Sequence, residues 1–227
     1  MNIVVTGASK GIGRELVKIL EADKTVKRIF AISRDKKLLG NFSDKKVIAI
    51  HFDITSGNYT TLIKEIKKHS SEIDVLINNA GAIVNKQFEK ISVDELKYVY
   101  EVNVFGAFQM SQHLIPLMKG KRSHIVNISS MGGYQGSVKF TGLSAYSSSK
   151  GALSILSECM AEELKPMNIS VNCLCLGATQ TEMLSEAFPS YKAPLSAKEM
   201  AEFVADFAIN GNKYFNGKIL PVSLSTP

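Results

Sequence analysis

The feature that most constrains this chain is an alternation: short, β-branched apolar runs recur between longer segments with helical spacing. A strand that is apolar throughout must be covered on both faces, and helices inserted between parallel strands provide that cover. Strands are predicted at residues 2–6, 28–33, 47–51, 74–77, 123–129, 169–175 and 218–222. Helices are predicted at 11–21, 57–70, 93–118, 144–165 and 197–209, whereas the short, lysine-rich stretch 35–46 carries no clear helical pattern. The expectation is one α/β domain over residues 1–227, a doubly wound, seven-stranded parallel sheet with helices on both faces. No linker, repeat or low-complexity tract interrupts it. The least patterned stretches, 131–143 and 182–196, both follow strands. Ligands of such sheets bind at the carboxyl ends of the strands, so these stretches are candidate walls or lids.

Composition excludes several other classes. With 45% hydrophobic and 21% charged residues, the chain has an ordinary globular make-up. No apolar run approaches the roughly 20 residues needed to cross a bilayer. Met1 leads directly into Asn2-Ile3-Val4-Val5-Thr6 without a basic leader, so a soluble, cytoplasmic protein with no membrane partner is expected. Cys159, Cys173 and Cys175 make no disulfide framework, and Cys173 and Cys175 are expected to share one strand face as buried thiols. His51, His69, His113 and His124 are scattered, so no metal centre is expected. The net charge of +6 comes from dispersed pairs such as Lys36-Lys37 and Lys67-Lys68 without interleaved aromatics, which argues against a nucleic-acid partner.

Thr6-Gly7-Ala8-Ser9-Lys10-Gly11-Ile12-Gly13 lies between the first strand and the first helix, where backbone N–H groups and a helix N-terminus can meet a pyrophosphate. Gly7 permits a tight turn, Gly11 a close approach to phosphate, and Gly13 close helix packing. Downstream, Asn78-Asn79-Ala80-Gly81 follows the fourth strand and Tyr146-Ser147-Ser148-Ser149-Lys150 opens a helix. Reducing a carbonyl requires an acid at the oxygen. A four-residue helical step places Tyr146 and Lys150 on one face, where an ammonium would lower the phenol pKa from about 10.

Together these segments resemble the TGxxxGxG, NNAG and YxxxK motifs of the short-chain dehydrogenase/reductase family, a Rossmann-fold family, over nearly the whole chain. The resemblance implies Tyr146 as general acid or base, Lys150 as its pKa modulator and ribose anchor, Ser130 as substrate orienter and Asn103 as support for a proton relay. Ser130, the second hydroxyl of Ser129-Ser130, fits the family's position better than Ser129. The cofactor positions implied are Gly7, Ser9, Lys10, Gly11, Ile12, Gly13, Ser33, Arg34, Asp53, Ile54, Asn79, Ala80, Gly81, Tyr146, Lys150, Gly177, Thr179 and Thr181. Where NAD-using members carry an acidic residue after the second strand, this chain has Ser33-Arg34. Arg34, aided by Lys10, would grip a 2′-phosphate, which implies NADP(H).

Three departures bear on the substrate end. Ser130 and Tyr146 are 16 residues apart, about three more than in the family, so Met131 to Ala145 should bulge over the site. Leu176-Gly177 replaces the proline-glycine after the sixth strand, and the segment Glu182 to Pro194 is short, implying a smaller or more open pocket. The functions implied are an NADP(H)-dependent oxidoreductase for a small carbonyl or alcohol, a 3-oxoacyl-thioester reductase, or a non-catalytic NADP(H) sensor. Apolar excess on the helices carrying Phe105, Phe108, Leu153 and Leu156 implies a homodimer or homotetramer.

Overall fold

Ile3, Val4 and Val5 are all fully buried, as a central parallel strand requires, and their alternation sends side chains into two separate cores. The computed structural model describes residues 1–35, 45–118 and 122–224; the doubtful helical region at 35–46 lies largely outside them. Its strands are β1 (Asn2–Thr6), β2 (Arg28–Ser33), β3 (Val47–His51), β4 (Val75–Asn78), β5 (Ser123–Ser130), β6 (Ile169–Leu176), β7 (Thr179–Gln180), β8 (Leu195–Ser196) and β9 (Ile219–Val222). The helices are α1 (Gly11–Ala22), α2 (Tyr59–Lys67), α3 (Val93–Tyr100), α4 (Gly106–Met118), α5 (Ser144–Leu164), α6 (Glu182–Ala187) and α7 (Ala197–Asn210).

Seven strands form one parallel sheet in the order β3-β2-β1-β4-β5-β6-β9. Ile3 and Val5 face Leu16, Val17 and Leu20 of α1 and Val204 and Ala208 of α7. Val4 and Phe30 face Leu62 and Ile66 of α2, Met110 and Leu114 of α4, and Ala161 of α5. Each of the larger side chains among these contributes roughly 1.5 to 3 kcal/mol of transfer free energy. The chain steps outward from β1 to β3 and then crosses to β4 on the other side of β1. This reversal opens a crevice at the carboxyl ends of β1 and β4.

Three predicted elements are corrected. The helix expected at 93–118 is interrupted by a π-helical turn, Glu101–Phe105, in which the Gly106 N–H donates to the Glu101 carbonyl. Side-chain spacing reports such a one-residue bulge poorly, and these bulges favour functional positions. The helix expected from 57 starts at Tyr59 because the Asn58 side chain accepts from the Thr61 N–H at 3.1 Å and caps it. The weakly patterned stretch 182–196 contains α6 and β8, which pairs with β7 just before it. Among the described residues no helix is long and apolar enough to cross a membrane, and no cluster of three metal-binding side chains occurs.

His124 shows how the core beneath α7 couples to pH. It is fully buried in β5, its Nδ1 is 3.0 Å from the Ala208 carbonyl, and Asn172 Nδ2 donates to Nε2 at 2.9 Å. The two contacts fit one neutral tautomer, and burial pushes the imidazole down to about 4. The unfolded chain therefore binds a proton that the folded chain refuses, and stability falls as pH drops from about 6.5 towards 4. Urea unfolding is expected to show a loss of about 2 to 3 kcal/mol from this group between pH 7 and pH 4.5. A His124→Gln variant whose acid sensitivity matches the parent would refute it.

Candidate active site

The sheet order lays out the cleft. From β3 to β5 are four strand steps, about 19 Å at the usual spacing, with Asp53 beyond one end and Ser130 at the other. Between them lies the loop from β1 to α1. Gly7 and Gly11 have φ of +67° and +54°, a conformation that L side chains resist. A Cβ at Gly13 would come within 2.2 Å of the Gly7 carbonyl oxygen, so the third glycine is a packing requirement. Asn79 Nδ2 braces the loop by donating to the carbonyls of Thr6 at 3.0 Å and Gly7 at 3.3 Å. The Thr6 hydroxyl accepts from the N–H groups of Asn79 and Ala80, both at 3.1 Å, joining the ends of β1 and β4.

Helix α1 begins here without a side-chain cap, whereas Asn58, Ser92, Thr181 and Ser196 cap α2, α3, α6 and α7. Its first-turn N–H groups and positive dipole end thus face the cleft. A glycine cradle that side chains would fill, together with an uncapped helix start, fits a pyrophosphate.

At the β2–β3 end, Ser33 Oγ donates to Ser9 Oγ at 2.8 Å, and the small pair leaves the rim open. The Arg34 guanidinium lies beside Tyr98 and Asp53, and both favour its charge. Burial alone would raise the Asp53 carboxyl; the Thr55 N–H at 2.9 Å, the Thr55 hydroxyl at 2.8 Å and Arg34 outweigh it and hold the group below its ordinary value. Lys10 pairs with Glu186 at 3.8 Å, an exposed contact of little strength.

At the β5 end, Ser130 and Tyr146 line the cleft together, and Ser130 Oγ accepts from the Gly132 N–H at 3.1 Å. Ser129 points away, donating to the Lys150 carbonyl at 2.8 Å. Lys150 is 4% exposed, its Nζ donating to the Ile128 carbonyl at 2.8 Å and lying 5.9 Å from the Tyr146 ring centre. Burial pulls its ammonium down to about 8. The expected fall in the tyrosine pKa is not found: burial pushes the phenol above its ordinary value, and the Ser130 side chain offsets only part of that. The lysine's nearest partner is a carbonyl of β5, which no side-chain spacing reveals.

Asn103 sits in the π-helical turn, where Oδ1 accepts from the Ala82 N–H at 2.8 Å and Nδ2 donates to the Ala82 carbonyl and Ser149 Oγ, both at 2.9 Å. A Cβ on Gly81 would lie 3.4 Å from Asn103 Oδ1 and 3.5 Å from Lys150 Nζ, so both flank the same stretch of backbone. Of the residues expected at the site, Gly13 and Asn103 do not line the cleft and act behind it; the others, Ile12, Ile54, Gly177, Thr179 and Thr181 included, do line it. Thr181 lies against Gly11 and its hydroxyl caps α6.

The sequence reading missed Thr6, Tyr98, Ser149 and Glu186 as partners. It also missed the aromatic wall formed by Phe140, Phe188 and Tyr191. The bulge after Ser130 does overhang the site: Phe140 and Leu143 line the cleft, and the Lys86 N–H holds the segment through the Gly142 carbonyl at 3.0 Å.

A doubly wound parallel sheet with a glycine cradle at its switch point defines the Rossmann class of nucleotide-binding folds. More narrowly, the chain belongs to the short-chain dehydrogenase family, whose pattern matches residues 1–192. It is 31% identical over 190 residues to the ketoacyl reductase HetN of Nostoc sp., covering 80% of this chain and 64% of that protein. To the 3-oxoacyl-[acyl-carrier-protein] reductase FabG of Aquifex aeolicus it is 30% identical over 240 residues, or 97% of this chain and 94% of the relative. Some relatives are longer: the chain spans 58% of the dehydrogenase/reductase SDR family member 7B of Mus musculus, with 32% identity over 80% of this chain. The fold is shared with a 3-ketoacyl-(acyl-carrier-protein) reductase from Brucella melitensis complexed with NADH. The TM-score is 0.86, at 24% identity over 97% of this chain and 96% of that one.

Proposed function

We propose that the protein is an NADP(H)-dependent oxidoreductase that interconverts a small carbonyl compound and its alcohol. The observation that carries this is that Ser130 and Tyr146 line one end of a glycine-cradled cleft together, beside buried Lys150. A nicotinamide dinucleotide, when bound, supplies or accepts the hydride. Gly7, Gly11 and the first turn of α1 would hold its pyrophosphate, Asp53 and Ile54 its adenine, and Arg34 with Lys10 its 2′-phosphate. Ala80, Gly81, Lys150, Gly177, Thr179 and Thr181 would border its ribose and nicotinamide.

Ser130 orients the carbonyl oxygen, and Tyr146 delivers a proton to it as the carbon is reduced. A phenol held above its ordinary pKa keeps that proton at neutral pH. The Lys150 charge makes its departure easier, and Asn103 holds the backbone around the lysine. Alcohol oxidation needs the phenol deprotonated first, so it should gain as pH rises. The test is NADPH oxidation against a panel of diketones, quinones, sugars, steroids and acyl thioesters; binding of NADPH without turnover of any of them would instead identify a sensor. A 3-oxoacyl-thioester reductase is the second reading, favoured by the near full-length match to the Aquifex protein.

We also infer a homodimer or homotetramer. Phe105 and Phe108 of the π-turn and α4, and Ile155 of α5, are 53%, 44% and 59% exposed, a surface that burial against a second copy would cover. Light scattering at micromolar concentration is expected to give at least twice the 24.8 kDa chain mass, and a monomer mass refutes the inference.

A further inference from the structure

Charged side chains are segregated along the cleft. Those lining it are Lys10, Arg34, Asp53, Lys150 and Glu182. Lys10, Arg34 and Asp53 lie along the β1-to-β3 half, and Glu182 lies against Gly11 of the same half. Lys150 is the exception, and its Nζ is committed to the Ile128 carbonyl. Beyond Ser130 and Tyr146 the walls are Ile83, Phe140, Leu143, Met183, Phe188 and Tyr191. Phe140 and Tyr191 remain 53% and 51% exposed, so an apolar ligand between them would remove aromatic surface from water.

Nearby cations are directed elsewhere. Lys86 is ion-paired with Glu95. Lys139 donates to the carbonyls of Tyr134 at 2.6 Å and Ser137 at 3.1 Å, within its own loop. Lys192 is exposed and does not line the cleft. The α6 segment also lies across the cleft, tied on one side by Glu186 to Lys10 and on the other by its Ala187 carbonyl, which accepts from Asn85 Nδ2 at 2.8 Å. A carboxylate or phosphate entering this half would lose part of its water and, among the described residues that line it, meet no cation but Lys150, whose Nζ is held by the Ile128 carbonyl, a cost that a neutral chain avoids.

Resting on the reductase reading above, we propose that the substrate is a neutral, apolar carbonyl compound: a ketone on an alkyl or aryl chain, free or esterified, with no anionic group on the chain that enters the cleft. The carbonyl carbon gains a hydride from the reduced nicotinamide and the oxygen a proton from Tyr146, giving the secondary alcohol and oxidised cofactor.

The test compares kcat/KM, at saturating NADPH, for 2-alkanones from butanone to decanone, for 7-oxooctanoate against 2-octanone, and for an N-acetylcysteamine 3-oxooctanoyl thioester. An increase of about fourfold per methylene is expected until the chain fills the cleft. The keto acid should fall at least about tenfold below 2-octanone, and Phe188→Lys should narrow that gap. The thioester arm separates an esterified from a free chain. A flat series, or a keto acid as good as the ketone, overturns the proposal. Unreactive N-alkylacetamides, titrated by quenching of bound NADPH fluorescence, separate the two readings. Affinity rising with chain length in a protein that reduces none of the ketones supports the apolar site and removes the reductase; no chain-length dependence overturns the site itself.

Discussion

Replacing Tyr146 by phenylalanine is expected to lower kcat/KM for carbonyl reduction by at least about a hundredfold, while NADPH affinity changes by no more than about twofold. The substitution keeps the ring in the cleft wall and removes one hydroxyl, the proton donor that stands in the cleft with Ser130. Lys150→Ala should behave differently. It empties a buried site, strands the Ile128 carbonyl and takes away a group that would border the ribose, so turnover and cofactor binding should fall together. Stopped-flow hydride transfer and fluorescence titration of NADPH measure the two quantities separately. If Tyr146→Phe keeps more than about a tenth of the parent rate on a good substrate, Tyr146 is not the acid.

The sequence made the fold legible wherever burial imposes a period. β1 and β6 are buried along almost all of their lengths because helices cover both their faces, and both lie within one residue of the bounds expected from the sequence. The glycines of the first loop were legible for a related reason: positive φ at Gly7 and Gly11 and a near-contact at Gly13 admit no other residue easily. What could not be read depends on groups without a side-chain pattern or on contacts between distant segments. The π-helical turn around Asn103 leaves an amphipathic helix looking continuous, and only the bonds to Ala82 reveal why it is there. Lys150's acceptor is a main-chain oxygen 22 residues away. The approach of Arg34 to Tyr98 brings the end of β2 to α3, which sequence separation hides. The same limit produced the wrong direction for the Tyr146 phenol: a helical step brings the lysine near, but its ammonium is bonded to the Ile128 carbonyl and burial dominates the phenol.

NADPH is expected to be preferred over NADH by at least about tenfold in kcat/KM, and Arg34→Ala to abolish most of that preference. The rim at the end of β2 carries Ser33, whose hydroxyl is bonded to Ser9, so no carboxylate stands there to accept ribose hydroxyls or repel a phosphate. Arg34 is exposed on its outer side, and its neighbours Tyr98 and Asp53 favour the charged guanidinium. Asp53 is the competing charge, but its carboxylate already accepts from the Thr55 N–H and hydroxyl. Lys10 can leave its exposed pairing with Glu186 at little cost, so it should add a second, weaker contact. A charge-assisted hydrogen bond contributes roughly 1.5 to 3 kcal/mol, and about 1.4 kcal/mol is a factor of ten, so losing Arg34 should weaken NADPH roughly ten- to a hundredfold and leave NADH nearly unchanged. Adding Ser33→Asp should then turn the preference towards NADH, because the new carboxylate can accept the ribose hydroxyls and repel the phosphate. Steady-state kinetics with both cofactors at two ionic strengths decide the matter, since a phosphate contact weakens with salt. Equal kcat/KM for the two cofactors in the parent protein, or an undiminished NADPH preference in Arg34→Ala, would show that this arginine serves only Tyr98 and Asp53.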